Sequence, residues 1–430
     1  MCKNFFYKSF DFNAHTGVLT LVYGTDKIFS LTEQITFAGA PFCLTENQQR
    51  VLEHIFFLTH IALGISYYKG FIPENLVIQS GELSEEQAHF FDRFYLYGLG
   101  EFAVKNNLDL TDKIHFPFTQ KKVKPDIFSL KERALVPLGG GKDSCVSVEL
   151  LKQLKVDFAT IAMGDPLPIL NCAKKTGKPH ITMTRQLDSS FLTLCQEKKV
   201  LNGHVPITGM LAFCLWAQAV LSDYAYVVLS CERSADEGNC QTSSFTANHQ
   251  YSKSSAFEND FYQLTQEITP QFKYFSLLRP LSETHIARLF SQKCASYFDV
   301  FTSCNKAFFL DKSKRQSWCA SCDKCRFVFL ILALFIPKEK LISIMGKNLL
   351  ADESQYQGYE ELLGLSGHKP FECVGTIQEC RYAWGQLQKN PCWQNDLLLK
   401  KITVPETPEG DLFSPQPHAL IPWSDIYEIF

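Results

Sequence analysis

Two signals are missing from this sequence, a membrane-length apolar run and an excess of positive charge. The longest apolar run, Phe327 to Ile336, has ten residues and ends at Pro337, whereas a membrane-spanning helix needs about 20. The net charge is −3, so the chain has no field of clustered Lys and Arg for a nucleic acid backbone. We therefore expect no membrane span and no nucleic-acid partner.

The first residues also lack a signal-peptide pattern. Met1 to Asp11 include two lysines but no apolar segment of the length that a signal peptide requires. The 16 cysteines are scattered along the chain, and in a reducing compartment clustered thiols more often hold metal than form disulfides. The pattern favours a cytoplasmic protein, and nothing in it indicates an oligomeric state.

The composition is that of an ordinary globular protein, with 46% hydrophobic and 20% charged residues among 430. That length favours roughly two to three domains. Strand and helix patterns predict a small α+β domain over residues 1–125, an α/β domain over 126–300 and a mostly helical region over 301–430. The polar segment Thr119 to Pro125 is the predicted linker.

Three consecutive glycines separate a short apolar strand pattern, which begins at Ala134, from a helical stripe that begins at Val146. Glycine lets the backbone approach a ligand closely, and a helix start presents free N–H groups and positive potential to an anion. The turn therefore predicts a phosphate-binding loop. Its residues are Gly139, Gly140, Gly141, Lys142, Asp143 and Ser144.

The spacing of residues in this turn excludes the two commonest phosphate-binding motifs. A Walker motif needs Ser or Thr after Gly-Lys, but Asp143 follows Lys142, and no G-x-G-x-x-G spacing is present. The stretch instead resembles SGGxDS, the pyrophosphate loop of enzymes that split ATP into AMP and pyrophosphate. Gly139 stands where that pattern has Ser, so one hydroxyl contact to phosphate is missing. A turn that serves only packing is the alternative.

From Ala134 onward strand and helix patterns alternate, which predicts an α/β fold with a mostly parallel sheet and helices on both faces. Ligands in such sheets bind beyond the carboxyl ends of the strands. That rule indicates the polar segment after the predicted strand Tyr224 to Ser230.

Several side chains in that segment can bind anions or transfer protons. Arg233 and Lys253 can clamp a carboxylate or phosphate, while Glu232, His249 or Lys253 can move a proton. A solvated loop explains each of them about as well when taken singly. His204 is equally compatible with a turn before a helix.

A cysteine cluster predicts a structural zinc site. Two gaps of two residues separate the last three of its members, and four thiolates complete a closed tetrahedral site without an open catalytic position. Buried free cysteines are the alternative. The four are Cys304, Cys319, Cys322 and Cys325.

A pyrophosphate loop followed by Cys-x-x-Cys-x-x-Cys resembles the ATP-dependent enzymes related to 7-cyano-7-deazaguanine synthase. Longer strings resemble the UDP-N-acetylmuramoyl-L-alanyl-L-glutamate epimerase family more closely, although Cys231 stands where that family has Asn. The matching strings occupy residues 38–42, 99–102, 139–144, 232–235, 248–253, 274–283, 318–319, 346–350 and 368–375.

This resemblance implies a pyrophosphate-loop (HUP-like) fold and an ATP- and Mg2+-dependent step in peptidoglycan precursor synthesis. The terminal L-glutamate of UDP-MurNAc-L-Ala-L-Glu would be inverted to D-glutamate through a carboxyl-adenylate, with release of AMP and pyrophosphate. The loop would bind ATP, and the four cysteines a structural Zn2+ ion. The catalytic candidates are then Glu232, His249 and Lys253, and the substrate-binding candidates Arg233, Ser234, Asn248 and Arg279.

Two other functions stay open at the level of sequence. A relative of the deazaguanine enzymes would use ATP to activate a carboxylate for amide or nitrile formation. A nucleotide-sensing module without turnover is the other possibility, because Gly139 replaces the loop serine.

Overall fold

The structure is a computed structural model that describes residues 2–120, 128–241, 246–309, 315, 317–367, 369–405 and 410–430. Its strands are β1 (Asn4–Asn13), β2 (Val18–Thr25), β3 (Leu31–Thr36), β4 (Asn75–Ile78), β5 (Ala134–Pro137), β6 (Phe158–Met163), β7 (His180–Gln186), β8 (Tyr226–Leu229), β9 (Cys240–Gln241), β10 (Thr246–Ala247) and β11 (Lys273–Ser276).

Fifteen α-helices accompany these strands in the described residues. They are α1 (Glu46–Phe71), α2 (Glu85–Gly98), α3 (Gly100–Lys105), α4 (Lys142–Gln153), α5 (Leu167–Thr176), α6 (Ser189–Gln196), α7 (Ile207–Leu221), α8 (Ser255–Gln266), α9 (Glu283–Lys293), α10 (Asp323–Leu332), α11 (Lys338–Met345), α12 (Tyr356–Leu362), α13 (Ile377–Lys389), α14 (Leu397–Lys401) and α15 (Ile426–Ile429).

Nine strands form one sheet in the order β11-β8-β5-β6-β7-β3-β2-β1-β4, while β9 and β10 form a separate ribbon. The five strands from β11 to β7 are parallel, the pairs β7–β3, β3–β2 and β2–β1 are antiparallel, and β4 pairs with β1 in parallel at the edge. The predicted α/β class with a mostly parallel sheet is confirmed.

The sheet is continuous between the amino-terminal strands and the parallel strands. β3 pairs with β7 in antiparallel register, with Gln34 opposite Gln186 and Thr36 opposite Thr184. One sheet therefore runs through both of the first two predicted domains. The predicted boundary between residues 125 and 126 falls outside the described residues, and the division into three domains stays a prediction.

Helix α1 lies on the amino-terminal strands. Thr45 and Gln48 form a capping box at its start, which satisfies two otherwise free backbone N–H groups. A Cβ at Gly64 would lie 2.4 Å from the Tyr7 ring, so glycine permits close packing on β1. In the described residues α1 alone is long and apolar enough to cross a membrane, but 89% of its apolar window is buried inside the protein. That burial is typical of a core helix.

The parallel strands have a switch point between β5 and β8. From β5 the chain passes to β6 and β7 on one side, whereas β8 and β11 lie on the other. Loops that leave β5 and β8 turn to opposite faces and open a crevice at their carboxyl ends. The glycine turn and the segment that starts at Ser230 both begin at this crevice.

The elements described after residue 301 are all helical. The apolar run noted in the sequence forms most of α10, whose residues from Phe327 to Leu332 are buried. α10 packs on α9 and α13, so this region covers the face of the sheet that carries α4 and α9.

A buried ion pair joins the two halves of the sheet and leads to a first prediction. Arg185 on β7 donates from Nε to Glu33 on β3 at 2.6 Å, and Glu33 is fully buried. Arg185→Leu leaves that carboxylate unpaired, so we expect the free energy of unfolding in urea to fall by about 3–5 kcal/mol. Lys131→Ala, which removes an exposed pair with Asp223, should change it by less than about 1 kcal/mol. Equal effects of the two substitutions would contradict this assignment.

Candidate active site

The glycine turn after β5 has the geometry of an anion-binding loop. Gly140 has φ of +78°, in the left-handed region that favours glycine. Gly141 is the N-cap of α4, so the first free N–H groups of that helix face the crevice. The backbone N–H of Thr302 donates to the Gly140 carbonyl at 2.8 Å and thereby holds the turn from the carboxyl-terminal region.

Lys142 lies buried beside this turn, in contact with the carboxylates of Asp143 and Glu283. Burial works against its charge, but the two carboxylates outweigh burial and raise the pKa of Lys142. The loop therefore carries a permanent ammonium group.

A cavity of about 310 Å³ opens in front of the loop. Of the predicted loop residues, Gly139, Gly141, Lys142, Asp143 and Ser144 line it. Two of the predicted catalytic residues, Glu232 and Lys253, line the same cavity. The remaining contributions include Glu283, Ser303, Lys324 and Cys373.

Glu232 follows β8 and is buried at the cavity wall. Burial raises the pKa of its carboxyl group, and the nearby charge of Asp143 adds to the effect. Ser234 donates from its hydroxyl to the Glu232 carboxyl at 3.3 Å. A carboxyl group with a raised pKa retains a proton to higher pH, which is what a general acid needs.

Lys253 contacts a cysteine that no local sequence pattern indicated. Its ammonium group donates to Cys373 Sγ at 2.9 Å. Burial alone would raise the pKa of the Cys373 thiol, but the charges of Lys253 and Lys324 and a hydrogen bond from His249 lower it well below its usual value. The cavity thus places the Cys373 sulfur next to an ammonium group that favours its thiolate form.

His249 contacts a carboxylate close to this cysteine. Its Nδ1 donates to Glu101, which also accepts from Lys105. Burial lowers the pKa of His249, but hydrogen bonds to Cys373 and Glu101 raise it to about 9. Against burial, the hydrogen bonds from His249 and Lys105 lower the pKa of Glu101 to about 2.

His204 belongs to the same group. Its Nδ1 lies 3.2 Å from Glu101 Oε2, and burial together with the charge of His249 lowers its pKa to about 4. Glu101, His204 and His249 offer three ligand atoms within 4.8 Å of one another, as a small cation site would. Lys105 and His249 already donate hydrogen bonds to Glu101, and the raised pKa of His249 favours its protonated form. We therefore interpret the group as a hydrogen-bonded network that keeps His249 protonated rather than as a metal site.

The predicted substrate-binding residues lie near this site, and their described contacts are internal. Arg279 is buried and donates to the carbonyls of Glu232 (2.7 Å) and Lys253 (2.5 Å) and to Glu258 Oε2 (3.0 Å). It therefore fixes the backbone at Glu232 and Lys253, two of the three catalytic candidates. Whether it also anchors an anion stays a prediction.

Asn248 and Arg233 have similar internal contacts. Asn248 donates from its side chain to the Ala235 carbonyl at 2.9 Å and accepts from the Gln250 N–H at 2.7 Å. Arg233 donates to the Asp411 carbonyl at 3.1 Å, while its Nη1 is buried without a described partner. Their roles in substrate binding, with that of Ser234, stay predictions.

The four predicted metal-ligating cysteines come together in space, with all four sulfurs within 4.8 Å of one another. The Cys325 Sγ lies 3.8 Å from Cys319 Sγ and 3.5 Å from Cys322 Sγ. Sulfurs 2.3 Å from a tetrahedral zinc ion are about 3.8 Å apart. The donor set and its spacing therefore fit zinc, and this cluster can hold it.

The cysteine cluster also supports the cavity. Thr302 and Ser303 directly precede Cys304, and Lys324 lies between Cys322 and Cys325; all three of these neighbours line the cavity. Zinc binding would thus fix two sides of the site.

Sequence reasoning missed Glu283 and Cys373. Glu283 starts α9, where it reads as an ordinary first-turn acid of a capped helix. Cys373 has no neighbouring cysteine at metal-binding spacing. Cys373 lies in the string 368–375, which is part of the family resemblance, and no other feature of the sequence indicated it.

The fold and the site together define an α/β protein with a polar cavity at the switch point of its parallel strands, the position at which such proteins bind small ligands. Residues 1–277 match the family model described as the MurL N-terminal domain, and residues 300–412 match that described as the MurL C-terminal domain. The chain therefore belongs to the MurL family.

Relatives with the name UDP-N-acetyl-alpha-D-muramoyl-L-alanyl-L-glutamate epimerase agree with this. The protein of Xanthomonas oryzae pv. oryzae is 39% identical over 402 residues, which cover 93% of this chain and 89% of the relative. That of Micromonospora sp. is 37% identical over 435 residues, with 97% and 96% covered. That of Salinispora tropica is 35% identical over 413 residues, with 94% and 89% covered. The resemblance to this epimerase family predicted from the sequence is confirmed.

The cysteine geometry predicts about one zinc ion per chain by elemental analysis. Cys322→Ser should abolish zinc binding and lower the free energy of unfolding by at least about 3 kcal/mol, since structural zinc provides about 10–16 kcal/mol in zinc-finger peptides. Cys392→Ser, at an exposed cysteine, is the control and should change neither. Unchanged metal content and stability in Cys322→Ser would refute a zinc site.

The loop backbone can be tested with two adjacent glycines. Gly140→Ala forces a side chain into the left-handed region, which costs roughly 1–2 kcal/mol. A Cβ at Gly139 would have no atom within 4 Å, so Gly139→Ala should change stability by less than about 0.5 kcal/mol. Thermal melting of both variants checks this, and the loop geometry is wrong if Gly139→Ala is the more destabilised.

Proposed function

We propose that the protein epimerises the terminal L-glutamate of UDP-MurNAc-L-Ala-L-Glu to D-glutamate, with ATP and Mg2+, in peptidoglycan precursor synthesis. Family membership supports the reaction. The single structural observation that carries the proposal is one cavity lined by the glycine loop and by two acid–base side chains, Glu232 and Lys253. ATP bound by the loop could therefore activate the substrate carboxylate while these side chains transfer a proton at the neighbouring α-carbon.

The glycine loop would bind ATP in the manner of pyrophosphate-loop enzymes. Backbone N–H groups at the start of α4 and the Lys142 ammonium group would hold the phosphates. Asp143 and Ser144, both at the cavity wall, provide oxygen ligands of the kind that Mg2+ prefers. When bound, Mg2+ would neutralise phosphate charge and favour departure of pyrophosphate.

The substrate explains why activation is needed. Its glutamate nitrogen is part of a peptide bond, so pyridoxal phosphate cannot form a Schiff base with it. A free α-carboxylate resists loss of the neighbouring proton, because the carbanion would place a second negative charge on the same group. Attack of that carboxylate on the α-phosphorus of ATP removes the first charge, and pyrophosphate leaves.

Proton transfer then inverts the centre. Removal of the α-proton gives a planar enolate, delivery of a proton to its other face gives the D-configuration, and water releases AMP. Glu232, Lys253 and His249 are the candidates from the sequence. Glu232 and Lys253 line the cavity, and His249 interacts with Cys373 at the cavity wall. Arg233, Ser234, Asn248 and Arg279 would position the anionic substrate directly or through the backbone they hold.

The four-cysteine site would hold zinc as a structural ion, and the reaction would take place in the cytoplasm. The 15 cysteines whose side chains are described are all free, which is consistent with a reducing compartment.

The direct test is incubation of the purified protein with UDP-MurNAc-L-Ala-L-Glu, ATP and Mg2+ in deuterium oxide. We expect D-glutamate on chiral analysis after hydrolysis, one deuterium at its α-carbon, and pyrophosphate formed with AMP. Amide or nitrile formation would leave the α-carbon unlabelled, and a nucleotide sensor would bind ATP without releasing pyrophosphate. Either result would refute the proposal.

The loop assignment has its own test. Lys142→Ala removes the buried ammonium group and should reduce pyrophosphate release by about 10²–10³-fold, as loss of one preorganised charge-stabilising donor does. Lys152→Ala, at the far end of the same helix, should leave the rate unchanged. A Lys142→Ala variant that is as active as the Lys152→Ala control would contradict the loop assignment.

A further inference from the structure

A cysteine at the cavity has no role in the reaction as derived so far. Cys373 is half-buried, lines the cavity that contains the glycine loop, and accepts a hydrogen bond from Lys253 Nζ at 2.9 Å. Cysteine at such a position, next to two basic side chains, is a reactive group rather than a packing residue.

The segment that carries Cys373 is held on both sides. Asn239 donates to the Pro370 carbonyl at 2.7 Å, and Asn305 donates to the Glu372 carboxylate at 2.5 Å. Three residues after Cys373, Thr376 forms the capping box of α13. The thiol is therefore fixed at the cavity wall, as a group that acts on one substrate atom must be.

Three cationic side chains surround the sulfur. Lys253 and Lys324 line the same cavity, and the charges of Lys253, Lys324 and His249 all favour the ionised form of the Cys373 thiol. Glu101 orients the His249 ring by accepting a hydrogen bond from its Nδ1. In many enzymes a reactive group, an imidazole and a carboxylate follow one another in this order, and the carboxylate orients the imidazole. These charges stabilise the thiolate, which is the form that accepts a proton.

A proton donor lies at the same cavity. The buried Glu232 carboxyl receives the hydrogen bond of Ser234, and both Glu232 and Cys373 interact electrostatically with the ammonium group of Lys253. Burial lowers the pKa of Lys253, but interaction with Cys373 outweighs burial and raises it, so its ammonium group has no lone pair with which to remove a proton. It suits positioning better than proton removal.

We propose that Cys373 removes the α-proton of the activated L-glutamate and that Glu232 delivers a proton to the opposite face. This assignment rests on the proposed function.

In the first step the Cα–H bond breaks, an S–H bond forms, and the electron pair enters the enolate of the acyl adenylate. In the second, the Glu232 O–H bond breaks and a new Cα–H bond forms with that electron pair. Exchange with water restores the thiolate and the carboxylic acid after release of product. Lys253 and His249 are positioning residues that keep the sulfur ionised.

The test separates adenylation from proton transfer. Cys373→Ser, Glu232→Gln and wild type are incubated with UDP-MurNAc-L-Ala-L-Glu, ATP and Mg2+ in deuterium oxide. Pyrophosphate release and deuterium at the glutamate α-carbon are measured, with each enantiomer analysed separately. Cys392→Ser, at an exposed cysteine, is the control and should match wild type in both measurements.

The two variants should fail in different ways. Cys373→Ser should still release pyrophosphate but form D-glutamate at least about 100-fold more slowly, with no deuterium in the recovered L-substrate, because loss of a general base costs about 10²–10⁴-fold. Glu232→Gln should also lose D-glutamate, yet its recovered L-glutamate should contain deuterium, since the Cys373 thiol returns a solvent-derived proton to the original face.

Other results would overturn the assignment. Deuterium in L- or D-glutamate from Cys373→Ser at the wild-type rate would exclude Cys373 as the base. A substrate adduct on Cys373 of the wild type, seen by intact mass and released by hydroxylamine, would show a thioester nucleophile instead. If wild type releases no pyrophosphate and forms no D-glutamate, the proposed function fails and the Cys373 assignment with it. If wild type turns over and Cys373→Ser still gives deuterium-labelled glutamate at the wild-type rate, the proposed function stands and only the Cys373 assignment fails.

Discussion

The parallel pairing of β5 with β8 at the switch point of the sheet is the constraint on which the rest of the site depends. Ala134 pairs with Tyr226 and Leu135 with Val227, and the chain continues from the two strands toward opposite sides of the sheet. The crevice at their carboxyl ends receives the glycine turn from one strand and Glu232 from the other. The groups proposed to bind phosphate and to transfer protons thus lie at one place because of topology, although they are about 90 residues apart in sequence.

The carboxyl-terminal helical region completes this crevice. The Thr302 N–H donates to the Gly140 carbonyl of the glycine turn, Lys324 lies at the start of α10, and Cys373 precedes α13. The four-cysteine cluster fixes two of these segments near one point. Within the described residues, the site is therefore built by both family domains.

Local pattern predicted much of the fold. The strand–turn–helix at the glycine loop and the strand before Ser230 are where the spacing of apolar residues placed them, because their backbone and burial patterns are decided within a few residues. The antiparallel contact of β3 with β7 was not foreseen. It joins residues about 150 positions apart, and no local pattern reports such a pairing.

The same limit applies to the site. Glycines, the paired cysteines and the polar segment after β8 were found because each has a local spacing that chemistry explains. Arg279 was selected as a cation for an anionic ligand, but in the structure its buried guanidinium group contacts Glu258 and two backbone carbonyls. Cys373 acquires its significance only from Lys253 and His249, which are more than 100 residues earlier in the chain.

The central claim is that the substrate carboxylate is joined to the α-phosphorus of ATP before its neighbouring proton is removed. Transfer of oxygen tests it most directly, with UDP-MurNAc-L-Ala-L-Glu that contains ¹⁸O in its α-carboxylate. The account predicts AMP with one ¹⁸O atom for each D-glutamate formed, because the carboxylate oxygen that attacks phosphorus stays on the phosphate when water releases the acyl group. AMP without ¹⁸O, or epimerisation accompanied by ADP and phosphate, would contradict it.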